Sequence, residues 1–158
     1  MADFRPGLGL RAGNRVVTVM LRAGLPVGSM ALLTVKGRKS GVPRTTPVAI
    51  TPLDGGWRLV AAYGVVDWVK NLRVAGTALI ERGRGKFEVN AIELSPEGAA
   101  PLLQQSLREV GPITRSAVGK YFDTAVEAPI EEWVLEAERH PVFLLQPIIR
   151  ASSVGEAG

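Results

Sequence analysis

A short segment dense in positive charge offers the most specific chemistry in this chain. It reads KGRKSGVPR from Lys36 to Arg44 and holds four cations, two glycines and a serine hydroxyl, with no acid. Like charges this close repel one another unless an anion lies among them. Guanidinium groups bind phosphate or carboxylate through paired hydrogen bonds, and glycines let backbone N–H groups approach a ligand. The segment therefore predicts a site for a phosphate-bearing ligand, with a solvated hairpin turn as the alternative.

The distribution of charge along the chain also favours an anionic partner. Residues 1–50 hold eight of the 19 basic residues and only one of the 15 acidic ones. Nucleic acid is not the expected partner, because the basic segment has no interleaved aromatic side chains and matches no DNA- or RNA-binding signature. A Walker A loop is absent, and no third glycine follows Gly7 and Gly9 in the dinucleotide pattern. We therefore expect a small anionic ligand.

The supply of reactive side chains limits the chemistry that the chain can perform alone. The absence of cysteine and the single histidine exclude thiolate and multi-histidine metal centres, so we expect no metal. Redox chemistry would have to come from a bound organic cofactor. Completing a two-electron reduction requires a proton, for which Tyr63, Tyr121 and Asp67 are the candidate donors by type. His140 directly precedes Pro141 and a predicted strand, and we interpret it as structural.

Short β-rich runs, separated by Gly, Pro and Asp, must position these side chains. The runs are Ala31–Val35, Val48–Thr51, Trp57–Ala62, Thr77–Glu81, Phe87–Leu94 and Val142–Leu145. Most of their connections are too short for parallel crossovers, and Gly83–Gly85 reads as a hairpin turn. The pattern predicts a mainly antiparallel sheet that closes into a barrel of five or six strands.

Helical patterns flank and interrupt the predicted strands. Residues 14–23 place apolar side chains opposite arginines, which suits either a helix packed on the core or one lying on an anionic membrane. Residues 67–74 predict a short helix capped by Asp67 and ended by Gly76. Ser95 followed by Pro96 begins a third helix, and 129–139 has the spacing of a fourth.

The organisation of the chain follows from these elements. We expect one domain over 1–158, with an N-terminal helical segment over 1–28, a barrel with helices over 29–149 and a flexible tail over 150–158. Arg15 and Arg22 interrupt the apolar residues near the N-terminus, so neither an export signal nor a membrane-spanning run is expected. The expected location is cytoplasmic, with membrane association through the N-terminal helix.

Three motifs in order resemble the deazaflavin-dependent nitroreductase family. They are LTVKGRKSGVPRTTP over 33–47, AAYG over 61–64 and DWVKNLR over 67–73. The resemblance is close over residues 32–76 and looser to about residue 145. It implies an α+β fold built on a mainly antiparallel split β-barrel of the FMN-binding type. It also implies use of the reduced deazaflavin coenzyme F420, with FMN as the second choice of cofactor.

The resemblance carries over to particular positions of this chain. The basic segment is implied to hold the coenzyme's phosphate and carboxylate-rich tail, and the end of the third strand to run past its ring. The implied coenzyme-binding residues are Lys36, Gly37, Arg38, Lys39, Ser40, Gly41, Pro43, Arg44, Thr45, Thr46, Pro47, Ala61, Ala62, Tyr63, Gly64, Trp68, Asn71 and Leu72. From the residues alone, Trp68 also reads as a core side chain and Asn71 as a helix-surface amide.

The implied activity is an F420H2-dependent oxidoreductase that transfers a hydride to a planar, quinone-like or nitro-type acceptor. Similar proteins have several tyrosines facing the substrate in the C-terminal helical region, whereas this chain has only Tyr121 there. This departure favours a quinone-like acceptor over nitroimidazole. The alternative is a non-catalytic protein that holds F420, FMN or an apolar ligand on the same barrel. The expected partner is a small-molecule acceptor, with peripheral membrane contact through the N-terminal helix and either a monomer or a dimer.

Overall fold

Six antiparallel strands close into a barrel in the computed structural model, which describes residues 14–20 and 28–149. In chain order the strands are β1 Met30–Lys36, β2 Pro43–Leu53, β3 Gly56–Val60, β4 Thr77–Arg82, β5 Gly85–Glu93 and β6 Val142–Pro147. Around the barrel they run β1-β2-β3-β6-β5-β4, and β4 pairs with β1 to close it. The predicted antiparallel barrel is confirmed, with six strands.

Alternate residues of each strand fill the barrel interior. On β1 these are Ala31, Leu33 and Val35, all of them buried in the barrel core. Neighbouring positions on a strand point to opposite faces. On β3, Leu59 therefore lies in the barrel core, whereas Arg58 reaches the outer face and contacts a helix.

Strand β2 is longer than its apolar pattern predicts. The apolar run begins at Val48, but the ladder to β1 continues back to Pro43, which pairs with Lys36. The extra residues are two prolines, an arginine and two threonines, mostly exposed, so hydrophobic alternation cannot reveal them. The basic segment is consequently the tip of the β1–β2 hairpin.

Five helices occur in the described residues. They are α1 over residues 14–20, α2 Asp67–Ala75, α3 Pro96–Glu109, α4 Pro112–Gly119 and α5 Ile130–Arg139. A second apolar cluster outside the barrel joins α3 and α5 to β6 through Leu103, Trp133 and Val142. The remainder of the predicted 14–23 helix and the predicted tail over 150–158 lie outside the described residues.

Two details of the helices differ from the sequence expectation. Helix α4 was not predicted, because it buries none of its own residues and leaves Ile113 88% exposed, so it lacks a clear apolar face. The predicted capping role of Asp67 is wrong. Val66 occupies the cap position of α2 without a side-chain hydrogen bond, and the Asp67 carboxylate instead pairs with Arg38. Gly76 ends the helix in a left-handed conformation, as predicted.

None of the helices in residues 14–20 and 28–149 is long and apolar enough to cross a bilayer.

Candidate functional site

The tip of the β1–β2 hairpin is a tight, hydrogen-bonded turn. The N–H of Gly37 donates to the carbonyl of Val42 at 2.9 Å, and that of Gly41 donates to the carbonyl of Gly37 at the same distance. Gly41 has φ 72°, a conformation that favours glycine. A side chain at Gly37 would lie 3.0 Å from the Val42 carbonyl, so this position also needs glycine. The backbone of this segment is therefore a hairpin turn, as the alternative interpretation predicted.

The side chains of this turn line a cavity of about 1050 Å³, called here the first cavity. Its other walls are the segment after β3, the start of α2 and the region around Tyr121 and α5's C-terminus. Five cations reach it, and Asp67 is the acid among its lining residues. The cations are Arg38, Lys39, Arg44, Lys70 and Arg139. An excess of positive charge in a concave site suits an anionic ligand.

Arg38 fastens the hairpin tip to α2. Its guanidinium donates to Asn71 Oδ1 at 2.8 Å and to Asp67 Oδ1 at 3.2 Å, and its backbone N–H donates to the same Asn71 oxygen at 3.1 Å. Asn71 is only 6% exposed, so its amide is a buried acceptor rather than a helix-surface group. Arg38 is thus already occupied within the protein.

Lys39 and Arg44 differ from Arg38 in their bonding. Neither forms an ion pair with any residue of segments 14–20 and 28–149, and both are exposed at the cavity. Ser40 lies between them, and its hydroxyl accepts a hydrogen bond from the Val42 N–H at 3.2 Å. These two cations are the groups best placed to bind an added anion.

Two tyrosines meet at the wall of the first cavity. The rings of Tyr63 and Tyr121 lie edge to face, with centroids 5.2 Å apart. Burial raises the pKa of the Tyr63 phenol above its ordinary value, and Tyr121 raises it further. Tyr63 is therefore protonated throughout the neutral range and can donate a hydrogen bond or a proton. Tyr63 directly precedes Gly64, which has φ 88° and turns the chain sharply shortly after the end of β3.

A second cavity of about 750 Å³ opens from the first. The two share Thr46, Tyr63, Gly64, Val66 and Trp68, together with Asn14 of α1. The second cavity lies between the outer face of β1–β3 and helices α3 and α4. Its wall is largely apolar and includes Met30, Val60, Leu103, Leu107, Val118 and Phe122.

One buried cation enters this apolar wall. Arg58 is 5% exposed and donates from Nη2 to Glu109 Oε2 of α3 at 2.9 Å. That bond, followed by one from Gln105, lowers the pKa of the Glu109 carboxyl. The sequence reasoning missed Arg58. The alternation along β3 could have revealed it, because Arg58 shares a face with Val60 and Ala62, whereas Leu59 faces the core.

The structure brings most of the predicted site residues together. Of those implied to bind coenzyme, the first cavity is lined by Gly37, Arg38, Lys39, Ser40, Arg44, Thr46, Tyr63, Gly64, Trp68 and Asn71, and the second adds Pro47 and Ala62. All three candidate proton donors, Tyr63, Tyr121 and Asp67, line the first cavity. Six predicted residues line neither cavity.

Those six residues fall into two groups. Lys36, Gly41, Pro43 and Thr45 are exposed positions of the hairpin, and Ala61 and Leu72 are buried in the barrel core. The cavity residues that the prediction missed are Asn14, Val35, Val65, Val66, Lys70, Arg139 and His140 in the first cavity, with the α3 and α4 wall in the second. Those from the C-terminal half come from far along the chain, where no local motif links them to the hairpin.

Comparison with models of known protein families identifies the family of this chain. The model of the F420H2-dependent quinone reductases matches residues 11–119, more than half of the chain. The chain belongs to this family. The predicted enzyme activity, an F420H2-dependent oxidoreductase, and the predicted cofactor, coenzyme F420, are thereby confirmed. The alternative of a non-catalytic carrier is set aside.

Solved structures of low sequence identity share the barrel fold. A structure of the F420-H2 dependent reductase FDR-A is 20% identical, covers 75% of this chain and 94% of that chain, and has a TM-score of 0.51. A structure described as a domain-swapped dimer is 18% identical, covers 84% and 95%, and has a TM-score of 0.55. The heme storage protein HutZ from Vibrio cholerae is 12% identical, with 86% and 90% covered and a TM-score of 0.50. No curated protein matches the chain.

The residues that line the first cavity fit coenzyme F420. Coenzyme F420 carries a phosphate and carboxylates on its tail, and Lys39 and Arg44 are cations without an ion-pair partner in the described residues. At the other end of the cavity, Gly64 leaves the backbone bare beside Trp68 and Tyr63, where a planar ring can approach closely.

Proposed function

We propose that the first cavity holds coenzyme F420 and that the second receives a quinone-type acceptor. The observation that carries this proposal is a pair of adjoining cavities that differ in charge. One is rimmed by cations and the other is largely apolar, and they meet at Tyr63, Gly64 and Trp68. Hydride transfer needs the reacting rings in contact, so this junction is where coenzyme and acceptor would meet.

The coenzyme tail would be held at the hairpin tip. Lys39 and Arg44 would bind its phosphate and carboxylates through charge-assisted hydrogen bonds. Arg38 would act indirectly, because its bonds to Asn71 and Asp67 fix the turn that presents the other two cations. Lys70 of α2 adds positive charge to the lining, whereas Arg139 is paired with Asp123 and Glu136.

The reduced coenzyme supplies the hydride, and the chain supplies orientation, exclusion of water and a proton. Trp68 packs against the barrel residue Phe143, with ring centroids 6.2 Å apart, and so presents a fixed aromatic wall to the cavities. Tyr63 lines both cavities and keeps its proton at neutral pH. It is the best-placed of the three candidate donors, since the carboxylate of Asp67 already accepts from Arg38.

Arg58 gives the second cavity a polar determinant for the acceptor. A quinone gains negative charge on oxygen as it accepts a hydride at carbon or oxygen. A guanidinium in a mostly apolar, buried setting can stabilise such charge without large reorganisation. The apolar lining would accommodate the remainder of a planar acceptor. Both features suit a quinone-type acceptor.

Peripheral membrane contact through the N-terminal helix remains part of the proposal. In α1, Val16 is 59% exposed and Val19 is 62% exposed, and Arg15 is exposed beside them. An apolar helix face next to basic residues can lie at an anionic membrane surface. Asn14 of the same helix lines both cavities, so such contact would place their shared opening near the lipid.

A coenzyme titration tests the assignment of the first cavity. Replacing both Lys39 and Arg44 with alanine should weaken binding of coenzyme F420 by about 2–3 kcal/mol, roughly 30- to 150-fold in Kd. Fluorescence of the coenzyme gives the Kd directly. The matched control replaces Arg84 and Lys86, two exposed cations in and beside the turn of the β4–β5 hairpin, and should leave the Kd unchanged. Equal effects of the two double variants would remove the hairpin tip from the site.

A further inference from the structure

His140 lies where the end of β3, the segment around Tyr121 and the end of α5 meet. It is 1% exposed, and both of its ring nitrogens lie within hydrogen-bond distance of a backbone carbonyl. Nδ1 is 3.1 Å from the Ala61 oxygen, and Nε2 is 2.9 Å from the Tyr121 oxygen. A carbonyl oxygen can only accept, and a neutral imidazole has one N–H to donate. Only the ring that carries both protons satisfies both contacts.

A buried carboxylate accompanies this ring. Glu136 of α5 is 0% exposed, and its Oε2 lies 3.5 Å from His140 Nε2. Among the described residues Oε2 accepts no hydrogen bond, whereas Oε1 accepts from the Asp123 N–H at 2.6 Å and lies 3.3 Å from Arg139 Nη2. Buried charges persist in proteins when they are paired. A positive His140 completes the pairing of Glu136.

Two acids and one arginine are paired with one another beside His140, and Lys120 Nζ lies 5.2 Å from the centroid of the neighbouring Tyr121 ring. From α5 come Glu136 and Arg139, and from the segment before α5 comes Asp123, whose Oδ2 lies 2.7 Å from Arg139 Nη1. The other titratable groups nearby are the phenols of Tyr63 and Tyr121. Phe122 stacks on the His140 ring with centroids 4.0 Å apart and planes inclined by 22°, a contact that favours a cation over the aromatic face.

We propose that His140 is a positively charged positioning residue that ties the Tyr121 segment to the end of β3. Ala61 lies two residues before Tyr63, so the two N–H bonds hold the backbones that carry both tyrosines of the first cavity. The 5.2 Å contact of the tyrosine rings depends on this tie. Loss of one ring proton would set a nitrogen lone pair against a carbonyl oxygen and release one of the two backbones. The inference rests on the proposed function only where it assigns Tyr63 and Tyr121 a role in the reaction.

The single histidine of the chain makes the protonation state directly measurable. At pH 7.5 an unperturbed histidine is about nine-tenths neutral. Nitrogen-15 NMR of the full chain labelled at histidine, without coenzyme, should instead show a proton on both ring nitrogens of His140. A ring with one protonated nitrogen at this pH would overturn the proposal. Because neither coenzyme nor acceptor is present, this result is independent of the proposed function.

A charge-removing variant of the partner tests the origin of the effect. Glu136→Gln keeps an acceptor for the Asp123 N–H but removes the negative charge beside His140. In this variant the second ring proton should be lost at a lower pH than in the parent chain. The same pH of loss in both proteins would contradict the role given to Glu136.

Kinetics test the positioning role. His140→Phe keeps a planar ring on Phe122 and removes both donors, so kcat/KM for a water-soluble benzoquinone should fall about tenfold or more, a larger factor than the accompanying rise in the Kd of coenzyme F420. In the parent, kcat/KM should decline over the same pH range in which NMR shows loss of the second proton. Parent-like kcat/KM with a parent-like pH profile in His140→Phe would refute positioning. Should that variant not fold, Glu136→Gln in the same two measurements decides between these outcomes.

Discussion

At the scale of single residues, Tyr63 combines a protonated phenol with a place in both cavities. Burial raises its pKa first, and the neighbouring Tyr121 raises it further, from an ordinary value of 10.0. The neutral phenol is therefore the form present at every pH below 10. A loss of activity between pH 6 and 9 would therefore not come from deprotonation of Tyr63.

Removing only the hydroxyl of Tyr63 tests its role as the donor. Tyr63→Phe keeps the ring against Tyr121 and should lower kcat for quinone reduction by about a hundredfold, the lower range for a general acid. The Kd of coenzyme F420 should change little. Tyr121→Phe is the matched control, since it removes the partner phenol of the same pair. A larger loss in Tyr121→Phe than in Tyr63→Phe would transfer the donor role to Tyr121.

Arg58 is the residue whose charge we expect to matter most to the acceptor. Arg58→Met retains most of the side-chain volume but removes the cation, so kcat/KM for a benzoquinone should fall about tenfold to a hundredfold while coenzyme Kd is unchanged. Glu109→Gln is the control, because it removes the negative charge paired with Arg58 and leaves the guanidinium in place. Steady-state kinetics of both variants give the comparison. Unaltered kcat/KM in Arg58→Met would limit Arg58 to holding α3 on the barrel.

At the scale of elements, the hairpin tip and α2 act as one unit. Arg38 and the buried Asn71 join them by two hydrogen bonds to a single amide oxygen. The sequence presents Arg38 as one of four similar cations, and nothing local tells it apart from Lys39 or Arg44. Its partners come from a helix more than 25 residues away, and only the fold reveals that Arg38 is structural and the others are open.

Asn71→Ala isolates this joint. It removes the acceptor of the Arg38 N–H and leaves Nη1 only its 3.5 Å contact with the Asp67 carbonyl, so the free energy of unfolding should fall by about 1–3 kcal/mol, the cost of an unmet hydrogen bond. Denaturant unfolding measures the change. Asn90→Ala, at an exposed position of β5, should cost much less. Coenzyme binding should weaken as well, because the tip would no longer be fixed. Equal stability of the two variants would mean that the joint contributes nothing to folding.

The sequence predicts an element when apolar side chains of that element stabilise it, and fails when other contacts do. Strands β1 and β4 contain runs of apolar side chains, so their pattern is visible, whereas the start of β2 is held by backbone pairing and by the Thr34–Thr45 hydroxyl contact and has no such run. Helix α4 is invisible for the same reason, since it buries none of its own side chains. The basic segment from Lys36 to Arg44 was found because its charge is local. The second cavity and His140 depend on tertiary contacts between distant segments, which no spacing encodes.

At the scale of the whole molecule, exposed positive charge is concentrated at one of the two cavities. Residues 1–50 hold eight basic residues and one acidic residue, and Arg38, Lys39 and Arg44 of this part of the chain line the first cavity. The second cavity is largely apolar, and its one buried guanidinium is already paired with Glu109. Binding of the two reactants should therefore respond differently to ionic strength, because salt screens exposed charges and leaves apolar contacts intact.

This division predicts a salt dependence confined to the coenzyme. Between about 0.01 and 0.15 M salt the Debye length falls from roughly 30 Å to 8 Å, so the Kd of coenzyme F420 should rise severalfold. The KM for an uncharged benzoquinone, measured at saturating coenzyme, should stay nearly constant. The variant lacking Lys39 and Arg44 should lose most of the salt dependence of its Kd, whereas the Arg84 and Lys86 control should keep it. If the KM for the benzoquinone rose in parallel with the Kd, both reactants would share the charged cavity, and the assignment of the acceptor to the second cavity would fail.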